Sequence, residues 1–385
     1  MRTGIGIIQL LTDKRMNRLA RVYVRWLSAA AALAAFAAPA VAETSFLDSL
    51  KRTTTLTSTI PANGDVNPYA LIVAPFSVGK IKQGDVLIDN FNDRNNLQGV
   101  GTTIVDYNTD SNTTSLFGSV PKNLASCPGG VGMTTAMAIL KSGYVIVGSL
   151  PSTDGTFRTA GPGCLIIFDA NGKFIRTFAG GQIDGPWGNA TLVDHGATAT
   201  LFVSQIGAGE APSATQSGTL ASVIRLDLAI GDDGPVIKNE TVIGDGFGER
   251  ADKDVFVIGP TGLVLEGETL YVSDAVGNAV SAIPQALSRT TSAGTGNLIS
   301  KDGLFKRPLA LEKAPNGNLL VINALDGEII ELDPIAKKQI ASRWINTNRA
   351  QTPPGSGNLF GVALTPDGKG LYFVNDDVNT LAVAH

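Results

Sequence analysis

Histidine is nearly missing from this chain: two in 385 residues, His195 and His385. That leaves little material for imidazole base catalysis or for a histidine-bound metal. Cysteine is as scarce, with Cys127 and Cys164 alone, and no histidine lies near either in sequence, so a thiolate–imidazole metal site is not expected. No excess of basic residues exists. Thirty Lys and Arg stand against 34 Asp and Glu, for a net charge of −4, which gives no footprint for nucleic acid or an anionic membrane. No G-x-S-x-G elbow, dinucleotide fingerprint or phosphate loop occurs. Beyond residue 60 almost nothing has the period of a helix.

What is present is a large apolar fraction, 43%, together with 44 glycines and 19 prolines. A chain so composed can bury a sizeable core and must turn often. The N-terminus reads as a secretory signal. Arg18, Arg21 and Arg25 form its positive region, and 27–38 is a short, alanine-rich apolar run. Ala40-Val41-Ala42 supplies the cleavage site before Glu43. Met16 is an alternative start, and a buried core helix is the alternative reading of the run. No paired arginines precede it, so export of an unfolded chain is expected. The expected division is a signal over 1–42, a short N-terminal segment over 43–64 and a repeat domain over 65–385. Export would place the mature chain in the periplasm or outside the cell, with no span left in a membrane. An oxidising compartment makes a Cys127–Cys164 disulfide the natural reading, two buried thiols being the alternative.

One phrase recurs six times: strand, tight turn, strand. The copies are 69–90, 136–149, 189–205, 261–274, 308–323 and 360–376, the last reading "FGVALTPDGKGLYFVND". Turns such as "PNGN" and "PDGK" place glycine where a hairpin needs a positive φ. A third strand follows most copies and ends at Asp106, Asp169, Asp227 or Asp333, each able to bond its own downstream backbone. A fourth appears at 173–179, 240–244 and 338–344. Six four-stranded antiparallel meanders, apolar on both faces, need neighbours on both sides, and a ring of blades supplies them. The last copy stops after three strands, so the β-rich segment 52–60 is expected to add its outer strand and close the ring. The expected fold is thus all-β, a six-bladed β-propeller. Seven blades or paired sandwiches are the alternatives.

These units resemble the NHL-repeat and gluconolactonase/regucalcin-like six-bladed propellers. "TGLVLEGETLYVSD", "PLALEKAPNGNLLVIN" and the last copy carry the likeness best, and it covers most of 65–385. The resemblance implies that the loops between second and third strands share one face with the loops between blades, and that this face holds the site. Long loops at 150–163, 205–219, 118–132, 244–259 and 345–358 are expected to build a lid there. Both cysteines fall on that face of the second blade, which suits a disulfide pinning the lid.

The resemblance further implies one divalent cation, such as Ca²⁺, held at the channel by Glu, Asn and Asp. The positions that match are Asn189, Asp274 and Asn375 or Asp376. Thr261 stands where that family has a metal-binding Asn, and Asn67 where it has its opening Glu. His195, beside Asp194 in a turn on the opposite face, reads as a solvated turn residue. A quinone-dependent sugar dehydrogenase would want a histidine base, which this sequence supplies poorly. For ligand recognition the candidates are Arg94, Trp187, Asn189 and Arg307. An aromatic with arginines at a channel mouth suits an anionic or sugar-like ligand or a peptide. Alternatively Trp187 plugs the contacts between blades and the arginines are solvated. The leading expectation is a monomeric binding or scaffolding module for a small-molecule or protein ligand at the lidded face. The alternative is a cation-dependent lactonase, hydrolase or lyase.

Overall fold

The computed structural model describes residues 44–207, 218–253 and 255–385. The signal reading at 1–42 and most of the 205–219 loop therefore lie outside the described residues. Ser45–His385 forms one compact unit, built almost wholly of strands.

Strand β1 (Thr53–Ser58) comes first, but it belongs to the last blade. The first blade is β2 (Val66–Val73), β3 (Val86–Asn92), β4 (Thr103–Asn108) and β5 (Thr113–Ser119). The second is β6 (Met133–Ile139), β7 (Val145–Ser149), β8 (Cys164–Phe168) and β9 (Phe174–Phe178). The third is β10 (Gly185–Asp194), β11 (Thr198–Ile206), β12 (Gly218–Gly231) and β13 (Gly234–Asp252), extended by the short β14 (Phe256–Ile258). The fourth is β15 (Pro260–Glu266), β16 (Thr269–Asp274), β17 (Ala279–Ile283) and β18 (Asn297–Lys301). The fifth is β19 (Pro308–Lys313), β20 (Leu319–Asn323), β21 (Glu328–Asp333) and β22 (Lys338–Trp344). The sixth is β23 (Leu359–Leu364), β24 (Leu371–Asn375) and β25 (Thr380–Ala384), completed by β1. All pairings are antiparallel, and each innermost strand packs on the innermost strands of both neighbouring blades, closing the ring. The fold is the expected six-bladed propeller.

Burial explains why the strands read as they do. Middle strands are covered on both faces, as β3 is at every residue, so "VLIDNFN" lacks a clean apolar–polar alternation. Outer strands face solvent on one side, and β22 alternates exposed and half-buried residues. Each fully buried Leu, Ile or Val contributes about 1.5–3 kcal/mol by leaving water, and the blade interfaces are made of such residues.

Ring closure runs through both ends of the chain. Thr53 pairs with Ala384 and Ser58 with Thr380, and the backbone N–H groups of Lys51 and Arg52 donate to the His385 carbonyl at 2.7 and 2.8 Å. Ahead of β1, Ser45 Oγ and the Leu47 N–H donate to the Glu331 carboxylate at 2.5 and 3.1 Å. Burial works to raise the pKa of Glu331, but donors from Asn318, Ser45 and Asn316 outweigh it and hold the carboxyl below its ordinary value.

Two expectations are corrected. The 244–259 segment is not a loop: β13 runs on to Asp252 and turns back as β14, pairing Arg250 with Ile258. The four Asp residues expected to end third strands do not share one role, and β4 and β12 run on past Asp106 and Asp227 to Asn108 and Gly231. Asp169 accepts from the Asn171 and Lys173 N–H groups, and Asp333 from Ile335 and Ala336, as a turn-starting Asp should. Asp227 instead bonds the side chains of Thr200 and Asn239, and Asp106 Oδ1 is sealed without a partner. The Asp106 carboxyl is pushed up to about 7 by burial, with Asp85 adding to the rise. Among the described residues no helix is long and apolar enough to cross a membrane.

Candidate functional site

Every innermost strand breaks register at the same place. The pairing with the second strand skips from Pro68 to Leu71, Met133 to Met137, Pro186 to Ala190, Pro260 to Leu263, Pro308 to Leu311 and Leu359 to Val362. A residue freed from its ladder needs other partners, because buried backbone groups are costly to leave unpaired. Neighbouring blades supply them. Thr134 Oγ1 donates to the Pro186 carbonyl at 2.8 Å, Thr135 Oγ1 to that of Trp187 at 2.6 Å, and Ser204 Oγ to that of Thr261 at 2.7 Å. The Ser273 hydroxyl likewise donates to the Leu309 carbonyl. Glycine is required where strands approach this closely: a Cβ on Gly262 would lie 2.4 Å from the Leu311 nitrogen.

The residues next to these breaks meet on the propeller axis and fill it with rings. Tyr69 stacks on Phe360 at 3.9 Å and on Phe91 at 4.5 Å. Trp187 meets Tyr69 and Phe91 edge-on, both at 5.7 Å, and tilts against Phe256 at 5.8 Å. Phe157, from the 150–163 loop, joins through Phe256 at 5.8 Å. Phe256 reaches the plug from β14 with φ 67°, a conformation that costs a bulky side chain about 1–3 kcal/mol. Trp187 is only 1% exposed, so it plugs the axis and lines no pocket on the lidded face. Phe256 carries no mark in the sequence, since its segment reads as a loop between blades.

Above the plug, on the lidded face, lies a polar pocket of about 510 Å³. Asn67, Asn92, Arg94, Gln351, Asn358 and Asp376 line it. Asn67 opens the first blade at φ 65°, its N–H bonded to Asn379 Oδ1 at 2.6 Å. Arg94 is held over the rim by Nε and Nη2, which donate to the Asn63 carbonyl at 2.9 and 2.6 Å. Gln351 and Asn358, from the long 345–358 loop, bond each other amide to amide at 2.7 and 2.6 Å. Asp376 follows β24, and its N–H donates to the Asn358 carbonyl at 3.2 Å. Its Oδ1 is sealed from solvent and has no hydrogen-bond partner. Burial, and secondarily the charge of Asp377, hold this carboxyl well above the usual range. Burial raises the Tyr69 phenol too, with the Asp376 charge the next cause. A carboxyl with a raised pKa therefore stands over the plug in a pocket lined largely by amides, with Arg94, Lys253 and Asp377 as its other charged side chains.

A second space of about 580 Å³ adjoins it, sharing Asn96, Gln98 and Lys253, and is walled by Leu97, Phe157 and Phe256. The 150–163 loop that forms one wall is pinned at its base by the Cys127–Cys164 disulfide, with Cα atoms 5.5 Å apart. Arg307 does not line either space. It opens the fifth blade at φ 59° and forms an ion pair with Asp252, tying that blade to the end of β13.

The four expected cation ligands are not gathered round one centre. Asn189 lines a separate cavity in the channel below the plug. Asp274 Oδ1 accepts the N–H groups of Val276 and Gly277 at 3.1 and 2.9 Å, closing its own turn. Asn375 lines a groove beside Thr53 and Trp344, between the fifth and sixth blades, whereas its neighbour Asp376 faces the lidded pocket. Among the described residues no cluster of three His, Cys, Asp or Glu could hold a metal ion. The channel mouth, where such an ion would sit, is filled by Tyr69, Trp187 and Phe360. The residues present do not fit a divalent cation there. His195 is exposed in its turn on the opposite face, and His385 Nε2 lies 3.3 Å from Thr54 Oγ1 at the closure.

No protein-family model matches the chain, and no curated protein is significantly similar to it in sequence. Solved structures do match. One is a protein proposed to be a gluconolactonase, 15% identical, with a TM-score of 0.51 over 88% of this chain and 94% of that one. Another is a gluconolactonase from Xanthomonas campestris, described as important in glucose secondary metabolic pathways. It is 13% identical, with a TM-score of 0.51 over 86% of this chain and 88% of that one. At such identity the likeness shows the six-bladed fold.

Proposed function

We propose that the lidded-face pocket binds a small, polar, sugar-derived ligand and that Asp376 transfers a proton to or from it. This makes the chain a hydrolase or lyase that needs no bound cation. The observation that carries the reading is the Asp376 carboxyl, its Oδ1 without a hydrogen-bond partner, at the wall of a pocket lined largely by amides together with Arg94, Lys253 and Asp377. Carboxyls with raised pKa values at a pocket wall suit general acid–base work near neutral pH. The fold shared with a gluconolactonase makes lactone opening the first reaction to test. In that reaction the ionised Asp376 would take a proton from water as the water oxygen attacks the lactone carbonyl carbon. The tetrahedral intermediate would then collapse with cleavage of the ring C–O bond, and the same carboxyl would return the proton to the departing oxygen. The guanidinium of Arg94, held at the rim, would favour ligands rich in oxygen or negative charge.

The test is turnover of a panel of sugar lactones and simple esters by the mature chain. Asp376→Asn should lower kcat/KM by about 10²–10⁴-fold, with chelators leaving the wild-type rate unchanged. Full activity in Asp376→Asn would sink the proton-transfer role. A loss on chelation that Ca²⁺ restores would return the cation. Saturable sugar binding without turnover would favour the second reading, a monomeric ligand- or protein-binding module, which the amide-rich wall also suits. The disulfide and the signal-like N-terminus support export to the periplasm or beyond.

A further inference from the structure

The space of about 580 Å³ beside the polar pocket is built for a different chemistry. The polar pocket presents mostly polar surface, whereas this annex presents mostly apolar surface. Leu97 and Ala251, both half-buried, offer apolar groups that a ligand can reach, while Phe157 and Phe256, each 1% exposed, border the annex but offer little. Arg158 and Lys253 also line it, and long charged side chains cover apolar surface with their stems while the charge stays in water. Its acidic groups are engaged elsewhere. Asp154 Oδ1 accepts the Thr156 N–H and the Thr159 hydroxyl at 2.9 and 2.6 Å, and Asp252 is paired with Arg307. The walls are held in place by their own bonds. Asp93 Oδ1 accepts the N–H groups of Asn95 and Leu97 at 3.0 and 3.2 Å, and Asp93 Oδ2 pairs with Lys122 at 2.7 Å, which fixes the turn carrying Leu97. The Ser152 N–H ties the 150–163 loop to this turn, donating to the Gly99 carbonyl at 2.9 Å. The loop comes so close that a Cβ on Gly155 would lie 2.6 Å from Leu97 Cδ1. Ala251 sits in the β13–β14 hairpin, paired with Val257. Filling a preformed apolar space costs little ordering entropy.

Asn96, Gln98 and Lys253 line both spaces, so one ligand can span them. We infer that the annex takes an apolar chain, alkyl or acyl, carried by the same ligand whose oxygen-rich part occupies the polar pocket. This rests on the reading of that pocket as a site for sugar-derived ligands, and it narrows the substrate class to alkylated or acylated ones. A free sugar leaves the apolar wall facing water, and a plain hydrocarbon leaves the amides of the polar pocket unused.

Calorimetric titration of the mature protein with methyl β-glucoside, hexyl β-glucoside and hexanol tests this. Hexyl glucoside should bind about tenfold or more tighter than methyl glucoside, and with a more negative heat-capacity change, the mark of buried apolar surface. Hexanol should bind more weakly than hexyl glucoside. Leu97→Asn makes the reachable wall polar and Ala251→Gln fills the annex, so each should shrink the ratio of hexyl to methyl affinity. Near-wild-type melting of either variant shows that the ring is intact. Equal affinity for the two glucosides, or a ratio that neither variant lowers, would overturn the annex and leave the reading of the polar pocket in place. Hexanol binding as tightly as hexyl glucoside, and weakened by the same substitutions, would keep the annex and sink the sugar reading. No saturable heat from hexyl glucoside or hexanol would overturn the inference outright.

Discussion

Cutting the Cys127–Cys164 bridge should lower stability by an amount the structure allows to be worked out. The bridge spans a sequence separation of 37 residues. A crosslink over a loop of that length removes unfolded-state entropy worth about 4 kcal/mol at room temperature. Spread over a unit of this size, that is a fall in Tm of about 5 °C. The native state should change little. Gly129 N–H donates to the Pro162 carbonyl at 3.0 Å, and Gly161 N–H to that of Pro151 at 3.0 Å, so the loop base stays tied without the sulfurs. Cys127→Ala with Cys164→Ala should lose slightly more than reduction alone, because both side chains are buried, at 3% and 0% exposure. The assay is thermal melting at one fixed scan rate. It compares the oxidised protein, the protein reduced in mild denaturant and returned to buffer, and the double variant, with free thiols counted by mass spectrometry. A Tm within about 1 °C of the oxidised protein after verified reduction would refute the loop-entropy argument. A collapse of the far-ultraviolet β signal on reduction would refute the claim that the loop base holds by itself.

Other predictions rest on separate parts of the ring. Trp187→Ala empties the centre of the plug and should cost about 3–5 kcal/mol, read as a lower urea midpoint; a change under about 1 kcal/mol would mean that the rings do not pack as one body. Removing residues 45–58 deprives β25 of its partner and Glu331 of two donors, and should cause a large fall in Tm; an unchanged melting temperature would place the closure elsewhere. Asp106 is raised to about 7 in the fold, so the native state holds its proton more tightly than the unfolded chain does. Its contribution to stability therefore falls as pH rises from the ordinary carboxylate range to about 7. Asp106→Asn should melt higher than wild type above that window, and the difference should vanish below it; a gain of equal size at both ends would refute the titration.

Much of the architecture was legible in the residues alone. Six hairpin phrases and the leftover N-terminal strand follow from local turn chemistry and repetition, which act within a few residues. The disulfide was legible too, because two cysteines on one face leave a single pairing. Placement of chemistry was not. Asn375 and Asp376 are neighbours in sequence, yet one lines a groove between blades and the other faces the lidded pocket, since successive strand-end residues point to opposite sides. Trp187 sat where a channel-mouth ligand anchor was expected, and only the arrival of Tyr69, Phe91, Phe256 and Phe360 from other strands turned it into filling. The same holds for Asp376, whose carboxyl is raised by burial and which shares its pocket with Asn67 and Asn92 of the first blade. The repeats determined how the ring is built. Burial, orientation and the meeting of residues from different blades belong to the tertiary structure, because they depend on partners that no local stretch contains.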